Sequence, residues 1–384
     1  MSPTQQITSE TDNLKRQGID VIDFGAGEPD FFTPKHIKES GIAAIQNNVT
    51  RYTPNRGVLE LREAICEKYH KDYSLNSASD EVIVSAGGKQ ALFNVMMAVV
   101  NEGDEVISHT PGWPSIFEQI RLAGGRPIFV DTRAENGFKL DADSVVGAFT
   151  PLTRAIVINT PCNPTGAVVD PTVMEEISRV AHDADVWVIL DLCYERLIYD
   201  GSGRDLLHIA RDLNPDRTVL IGSLSKSFAM TGWRCGWAIG PKGLIDACNV
   251  IQGHSTSNAC SISQKAAIAA LSGPQEPVDE MREEYRKRRD FLLGRLSEDS
   301  RIRCNSPEGA FYLFPDITEI LSHEGIRTSQ NFSELLLKEF KVAVTPGEAF
   351  DSPGFLRLAY TAPIPRLSEG LDRIMNFISS VDRR

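Results

Sequence analysis

Several short stretches of this chain carry side chains that together could hold and activate a planar, phosphorylated, cationic ring. Ala86-Gly87-Gly88-Lys89-Gln90 opens a helical pattern, and the free N–H groups of Gly88, Lys89 and Gln90 suit a phosphate at a helix start. Ser223 and Arg234 would complete that cradle, the arginine as a forked charged donor. Trp113, in Thr110-Pro111-Gly112-Trp113, offers an indole to stack on one ring face. Asp191 ends an apolar run, where a carboxylate is costly unless it meets a cation such as a protonated pyridine nitrogen. Asn163, in Asn163-Pro164-Thr165-Gly166, and Tyr194 can donate to a ring oxygen. Lys226, in Ser223-Leu224-Ser225-Lys226, has an amine able to form a Schiff base.

Each piece alone has an ordinary reading as a turn, a core side chain, a cap or a surface charge. Their positions in the chain give them force. Each follows an apolar run of four to six residues: Glu81–Ser85, Glu105–Ser108, Ala155–Asn159, Val186–Leu190 and Thr218–Gly222. Pro127–Val130 and Trp237–Ile239 have the same texture, with continuous β-branched residues as expected of strands covered on both faces. Helical patterns lie between them, at Lys89–Val100, Ser115–Ala123, Pro171–His182 and Lys242–Gln252. Strand–helix alternation predicts an α/β fold with a large doubly wound, mainly parallel sheet, whose ligands bind beyond the carboxyl ends of the strands. All the groups above fall at that one edge.

Beyond about residue 275 the texture changes. Glu276–Leu296 reads as one long charged helix, followed by strand-like Ala310–Phe314, a helix over Ser329–Phe340, strands Val342–Val344 and Leu356–Tyr360, and a final helix Ile364–Ser380. These predict a smaller α+β domain made of 1–34 and 277–384, beside a large domain of 35–276.

Composition narrows the function. The chain has 384 residues and a net charge of −12, which argues against a nucleic-acid backbone as partner. The seven cysteines are scattered without CxxC or zinc-finger spacing, so no metal site is expected. No apolar stretch approaches the roughly 20 residues needed to span a bilayer, and the start lacks the pattern of a secretory leader. The expectation is a soluble, cytoplasmic protein with neither a nucleic-acid nor a membrane partner.

The motifs GAGEPDFFTP (Gly25–Pro34), RYTPNRGVLELREAI (Arg51–Ile65), GGKQALF, NPTGAV, SLSKSFAMTGWRCGW (Ser223–Trp237) and RLAY (Arg357–Tyr360) resemble the class I/II, fold type I pyridoxal-phosphate aminotransferases, closest to the bacterial aspartate aminotransferase subgroup. The resemblance implies that Lys226 carries pyridoxal 5′-phosphate and shuttles a proton. It makes Asp191 the partner of the ring nitrogen, Asn163 and Tyr194 donors to the ring oxygen, Trp113 the stacking aromatic, and Ser223 and Arg234 phosphate ligands. Tyr52 resembles a tyrosine that reaches the phosphate from a neighbouring subunit, which implies a homodimer with shared sites. Arg357 resembles the arginine that grips the substrate α-carboxylate, with Gly27 beside it. Lys89, Ser2 and Thr4 match positions that help bind the distal carboxylate of acidic substrates.

The implied reaction is ping-pong transfer between an aspartate-like L-amino acid and 2-oxoglutarate. An aromatic, basic or other donor, or a β-lyase reaction on the same fold, remains an alternative. Three departures bear on the substrate: Leu192 in place of a common Glu, Gly112 where a bulkier residue often precedes the indole and so a wider pocket, and Cys162 where Asn or His is common. Two other chemistries fail on the residues. Ser-x-x-Lys acyl transfer needs SDN and KTG elements, neither of which occurs, and GxGxxG is broken by Asp30 and Pro29.

Overall fold

The computed structural model describes residues 3–199, 214–321 and 326–381. In chain order the strands are β1 (Ile22–Asp23), β2 (Val82–Ser85), β3 (Glu105–Thr110), β4 (Arg126–Asp131), β5 (Thr153–Asn159), β6 (Trp187–Asp191), β7 (Thr218–Ser223), β8 (Gly236–Ile239), β9 (Tyr312–Leu313), β10 (Val342–Ala343), β11 (Thr345–Pro346) and β12 (Leu356–Ala359). Seven of them form one sheet in the order β2-β8-β7-β6-β5-β3-β4. Only β8 runs against its neighbours; β4, β3, β5, β6 and β7 are parallel to one another. The inner residues of β3, β5, β6 and β7 are buried on both faces, which explains the absence of polar alternation there, whereas the edge strand β4 is only partly covered.

Apolar clusters cover both faces of this sheet. One contains Ile156, Val188 and Leu220; the other contains Val157, Ile189 and Ile221. A third cluster lies elsewhere and joins Ile22 and Phe24 to Tyr285, Phe311, Leu358 and Phe377. The N-terminal segment is tied into it by β1, which pairs with β10 through Ile22↔Val342 and Asp23↔Ala343. The helix Glu276–Leu296 spans two clusters, with Val278 in the first and Met281, Tyr285, Leu292 and Leu296 in the third.

Sequence periodicity left several helices unassigned: Pro3–Arg16, Lys35–Gln46, Leu59–Tyr73, Ala142–Gly147 and Ser261–Ser272. In Leu59–Tyr73 the buried residues include Leu61, Ile65, Tyr69 and Tyr73, a four-residue spacing diluted by charged residues between them. The expected helix Ser329–Phe340 is an α-helix over Ser329–Leu335 that widens into a π turn over Leu336–Phe340. Leu336 and Leu337, adjacent in sequence, are both fully buried in that wider turn.

Candidate active site

Strand register sets the site. Asn159 stands opposite Asp191 across β5 and β6, Asp191 opposite Ile221 across β6 and β7, and Ser223 opposite Gly236 across β7 and β8. The carboxyl ends of three parallel strands thus share one edge, and a cavity of about 320 Å³ opens there. Ten of the expected residues line it: Gly27, Lys89, Trp113, Asn163, Asp191, Tyr194, Ser223, Lys226, Arg234 and Arg357.

Lys226 is the most perturbed cation of the cavity. Burial strips water from its ammonium and pushes its pKa down to about 8. Its Nζ donates to the Gly27 carbonyl and lies 5.9 Å from the centre of the Phe311 ring. Asp191 is 2% exposed, and burial pushes its carboxyl above the usual range; the Cys193 N–H, donated at 3.2 Å, and the charge of Lys226 pull the other way. A buried carboxylate with so little compensation is matched to a cation absent from the bare chain, as a protonated ring nitrogen would be.

Arg357 is held in place on three sides. It donates to Asn163 Oδ1 at 3.0 Å, to the Gly25 carbonyl at 2.8 Å and to Thr345 Oγ1 at 3.4 Å. Its guanidinium sits 4.5 Å from the Tyr312 ring centre and 5.1 Å from that of Phe350, while its Nε has no partner among the described residues. The Tyr194 and Tyr312 hydroxyls lie 2.8 Å apart, and burial raises both phenols, keeping them protonated as donors.

Close backbone approach shapes the phosphate end. Gly87 has φ +88°, and a Cβ there would stand 2.6 Å from the Arg234 guanidinium. The N–H groups of Gly88 and Lys89 have no partner among the described residues, whereas that of Gln90 donates to the Gly87 carbonyl at 3.1 Å. The Gln90 side chain is likewise engaged, accepting from the Ala86 N–H at 2.6 Å and donating to Thr256 Oγ1, and it does not line the cavity. The expected cradle therefore loses Gln90 because the first helical turn closes on it. Ser223 Oγ donates to Ser225 Oγ at 2.9 Å. Lys89 Nζ lies 5.0 Å from the Trp113 ring centre, with its pKa lowered by burial and then by Arg234.

Other expected residues lie apart. Tyr52 is 91% exposed and outside the cavity. Ser2 lies outside the described residues, and Thr4 falls on the helix Pro3–Arg16. Gly112 does not widen the pocket as expected: a Cβ there would meet the His109 carbonyl at 2.4 Å and Phe117 at 2.8 Å, so its space is already filled. Leu192 is 1% exposed and packs in the first apolar cluster, away from the cavity. Cys162 is buried, its Sγ 3.7 Å from the Pro111 carbonyl, with burial raising the thiol to about 11.

The cavity also holds residues that motif reading missed: Asn159, Cys193, Ser225, Thr231 and Tyr312. Tyr312 could have been found from strand pairing. β12 and β9 are antiparallel with Ala359 opposite Tyr312, which puts Tyr312 on the face that carries Arg357.

The bare chain fits pyridoxal phosphate at each end: unpaired N–H groups at a glycine-lined helix start, a buried carboxylate wanting a cation, and a desolvated amine in the same cavity as Arg357. Comparison with known proteins agrees. The family model for aminotransferase class I and II matches residues 19–374. An aspartate aminotransferase of Geobacillus stearothermophilus is 42% identical over 99% of this chain and 96% of its own, and one of Bacillus subtilis is 40% identical over 98% and 96%. Among solved structures, a Thermus thermophilus aspartate aminotransferase with maleate superposes with TM-score 0.91 at 39% identity, covering 98% of this chain and 96% of that one. The Rhizobium meliloti aspartate aminotransferase gives TM-score 0.92 at 38% identity, over 99% and 96%. With sequence match and superposition both running nearly end to end, this chain belongs to the class I and II aminotransferases and works with pyridoxal 5′-phosphate.

Proposed function

We propose that the enzyme moves the amino group of L-aspartate to 2-oxoglutarate in two half-reactions, the first oxo-acid leaving before the second binds. Charge carries this reading. Among the described residues, the cavity wall holds the cationic side chains of Lys89, Lys226, Arg234 and Arg357 against the one carboxylate of Asp191. A cofactor phosphate and a substrate with two carboxylates would use that excess. A basic or aromatic donor would leave a partly desolvated cation without its counter-charge. The names borne by the relatives point the same way.

Pyridoxal phosphate, when bound, supplies an aldehyde that condenses with amines and a protonated ring that accepts electron density from Cα. The chain's own residues do the rest. Gly88 and Lys89 N–H groups, Ser223 and Arg234 hold the phosphate; Asp191 holds the ring-nitrogen proton; Asn163 and Tyr194 donate to the ring oxygen; Trp113 covers one ring face. Arg357 takes the α-carboxylate, with Gly27 beside it, and Lys89 takes the distal carboxylate, helped by Ser2 and Thr4. Lys226, neutral in a large share of molecules near pH 8, removes the Cα proton as a positioned base.

Residues 1–34 and 277–384 act as the smaller domain and close over the substrate, since Arg357 and the Gly25–Gly27 carbonyls belong to it. The exposed phenol of Tyr52 is read as reaching the phosphate of a second subunit, which makes the working unit a homodimer. The exposed apolar side chains Phe32, Ile42 and Ile45 support such a contact. All seven cysteines are free and no helix among the described residues is long and apolar enough to cross a membrane, which supports a cytoplasmic setting.

A panel of L-amino acids with 2-oxoglutarate tests the assignment. Glutamate is expected to form fastest from aspartate. An aromatic or basic donor that outpaces it overturns the substrate, and ammonia with pyruvate from a cysteine conjugate replaces transfer by β-elimination.

A further inference from the structure

Behind the cavity wall lies a buried histidine that the reaction does not use. His109, near the end of β3, is 7% exposed, and both ring nitrogens are engaged. Nε2 accepts from the backbone N–H of Asn159 at 3.3 Å. A backbone N–H can only donate, so Nε2 carries no proton and the neutral ring is the Nδ1–H tautomer. Nδ1 faces the Pro111 carbonyl at 3.3 Å and donates to it.

Those two bonds reach both halves of the site. Asn159 Oδ1 accepts from the Asn163 N–H at 2.8 Å, its Nδ2 lies 3.3 Å from the Asp191 carbonyl, and Asn163 Oδ1 in turn holds Arg357. Pro111 begins the short loop to Trp113, and its carbonyl is also approached by Cys162 Sγ. The loop has no slack, because Gly112 is pressed between the His109 carbonyl and Phe117.

We propose that His109 is a positioning residue that fixes the carboxylate-binding arm, Asn159–Asn163–Arg357, relative to the loop that carries the stacking indole. The proposal rests on the roles given above to Arg357 and Trp113. One neutral imidazole serves as acceptor on one side and donor on the other, which neither an aliphatic side chain nor a charged ring can do. Burial lowers the pKa of His109, in keeping with a ring that stays neutral. Its loss leaves the Asn159 N–H buried without an acceptor, so the strain falls on the arm that ends in Arg357.

Succinate, a dicarboxylate without an amine, probes that arm in the holoenzyme through the absorbance change of the bound cofactor. His109→Leu is expected to weaken succinate about tenfold, the cost of one orphaned buried donor. His109→Gln, whose amide oxygen can accept from Asn159, recovers most of that loss. Cys162→Ala, which removes the thiol against Pro111 and Thr165 but keeps the His109–Asn159 bond, leaves succinate binding within about twofold of the parent. Arg357→Lys serves as the control: if it binds succinate normally, the site reading fails rather than this one. If Arg357→Lys weakens succinate and His109→Leu does not, the positioning role is overturned. Nitrogen NMR of the unsubstituted protein decides the matter without any variant. A neutral Nδ1–H ring near neutral pH is expected, and an Nε2–H or charged ring contradicts the proposal.

Discussion

Lys226→Ala lowers the transamination rate by about 10⁴-fold, the upper end of what a positioned acid–base group contributes. Burial, the first cause, pushes its amine down to about 8, near physiological pH. The Tyr194 phenol in the same cavity cannot take over as a base, because burial raises it well above its ordinary range. The same depressed pKa sets how fast the cofactor-free protein takes up pyridoxal phosphate. Only the neutral amine adds to the aldehyde, so the initial loading rate rises about tenfold per pH unit below about 8 and levels above it. A loading rate that is flat from pH 6 to 9, or residual turnover within a factor of ten in Lys226→Ala, contradicts the assignment.

Asp191→Asn lowers turnover by about 10²–10³-fold, since the variant keeps the shape but loses the charge that holds the ring-nitrogen proton. Its effect on stability runs in the opposite direction. Burial raises the Asp191 carboxyl above its unfolded value in the cofactor-free protein, so the folded state binds the proton more tightly than the unfolded chain. The cost is absent below the unfolded pKa, near 3.8, and grows as pH rises through the folded value. Asparagine cannot ionise and escapes that cost. At pH 7 the cofactor-free Asp191→Asn protein should therefore melt higher than its parent, as thermal unfolding would show. A lower melting temperature together with full activity would make Asp191 a plain structural residue.

Much of this site could be read from the chain because its parts lie at the ends of covered parallel strands. Those strands stand out as continuous apolar runs, and Asp191, Ser223 and Lys226 follow them within a few residues. What escaped depends on register and on neighbours distant in sequence. Tyr312 enters the cavity through the pairing of β9 with β12, and Asn159 through its place opposite Asp191. His109 is one more polar residue in a strand until its two partners, two and fifty residues away, are known. Gly112 shows the opposite error. A missing side chain suggested empty space, yet Phe117, packed edge-on against Phe129 at 4.7 Å, fills it. Gln90 was drawn into the phosphate cradle by adjacency, whereas the closing helix turn takes its N–H. The helix Leu59–Tyr73 is obscured because charged residues stand between its apolar ones, and Lys35–Gln46 because its buried face is small (Ile37, Gly41 and Ala44) while Ile42 and Ile45 are exposed.

The amine that receives the cofactor decides every residue role at this site. Borohydride treatment of the pyridoxal-phosphate-loaded enzyme fixes the cofactor to that amine, and peptide mapping then locates the label. One pyridoxyl group per chain on the peptide containing Lys226 is the expected result. A label on Lys89 or any other lysine, or a loaded enzyme that takes none, would contradict it.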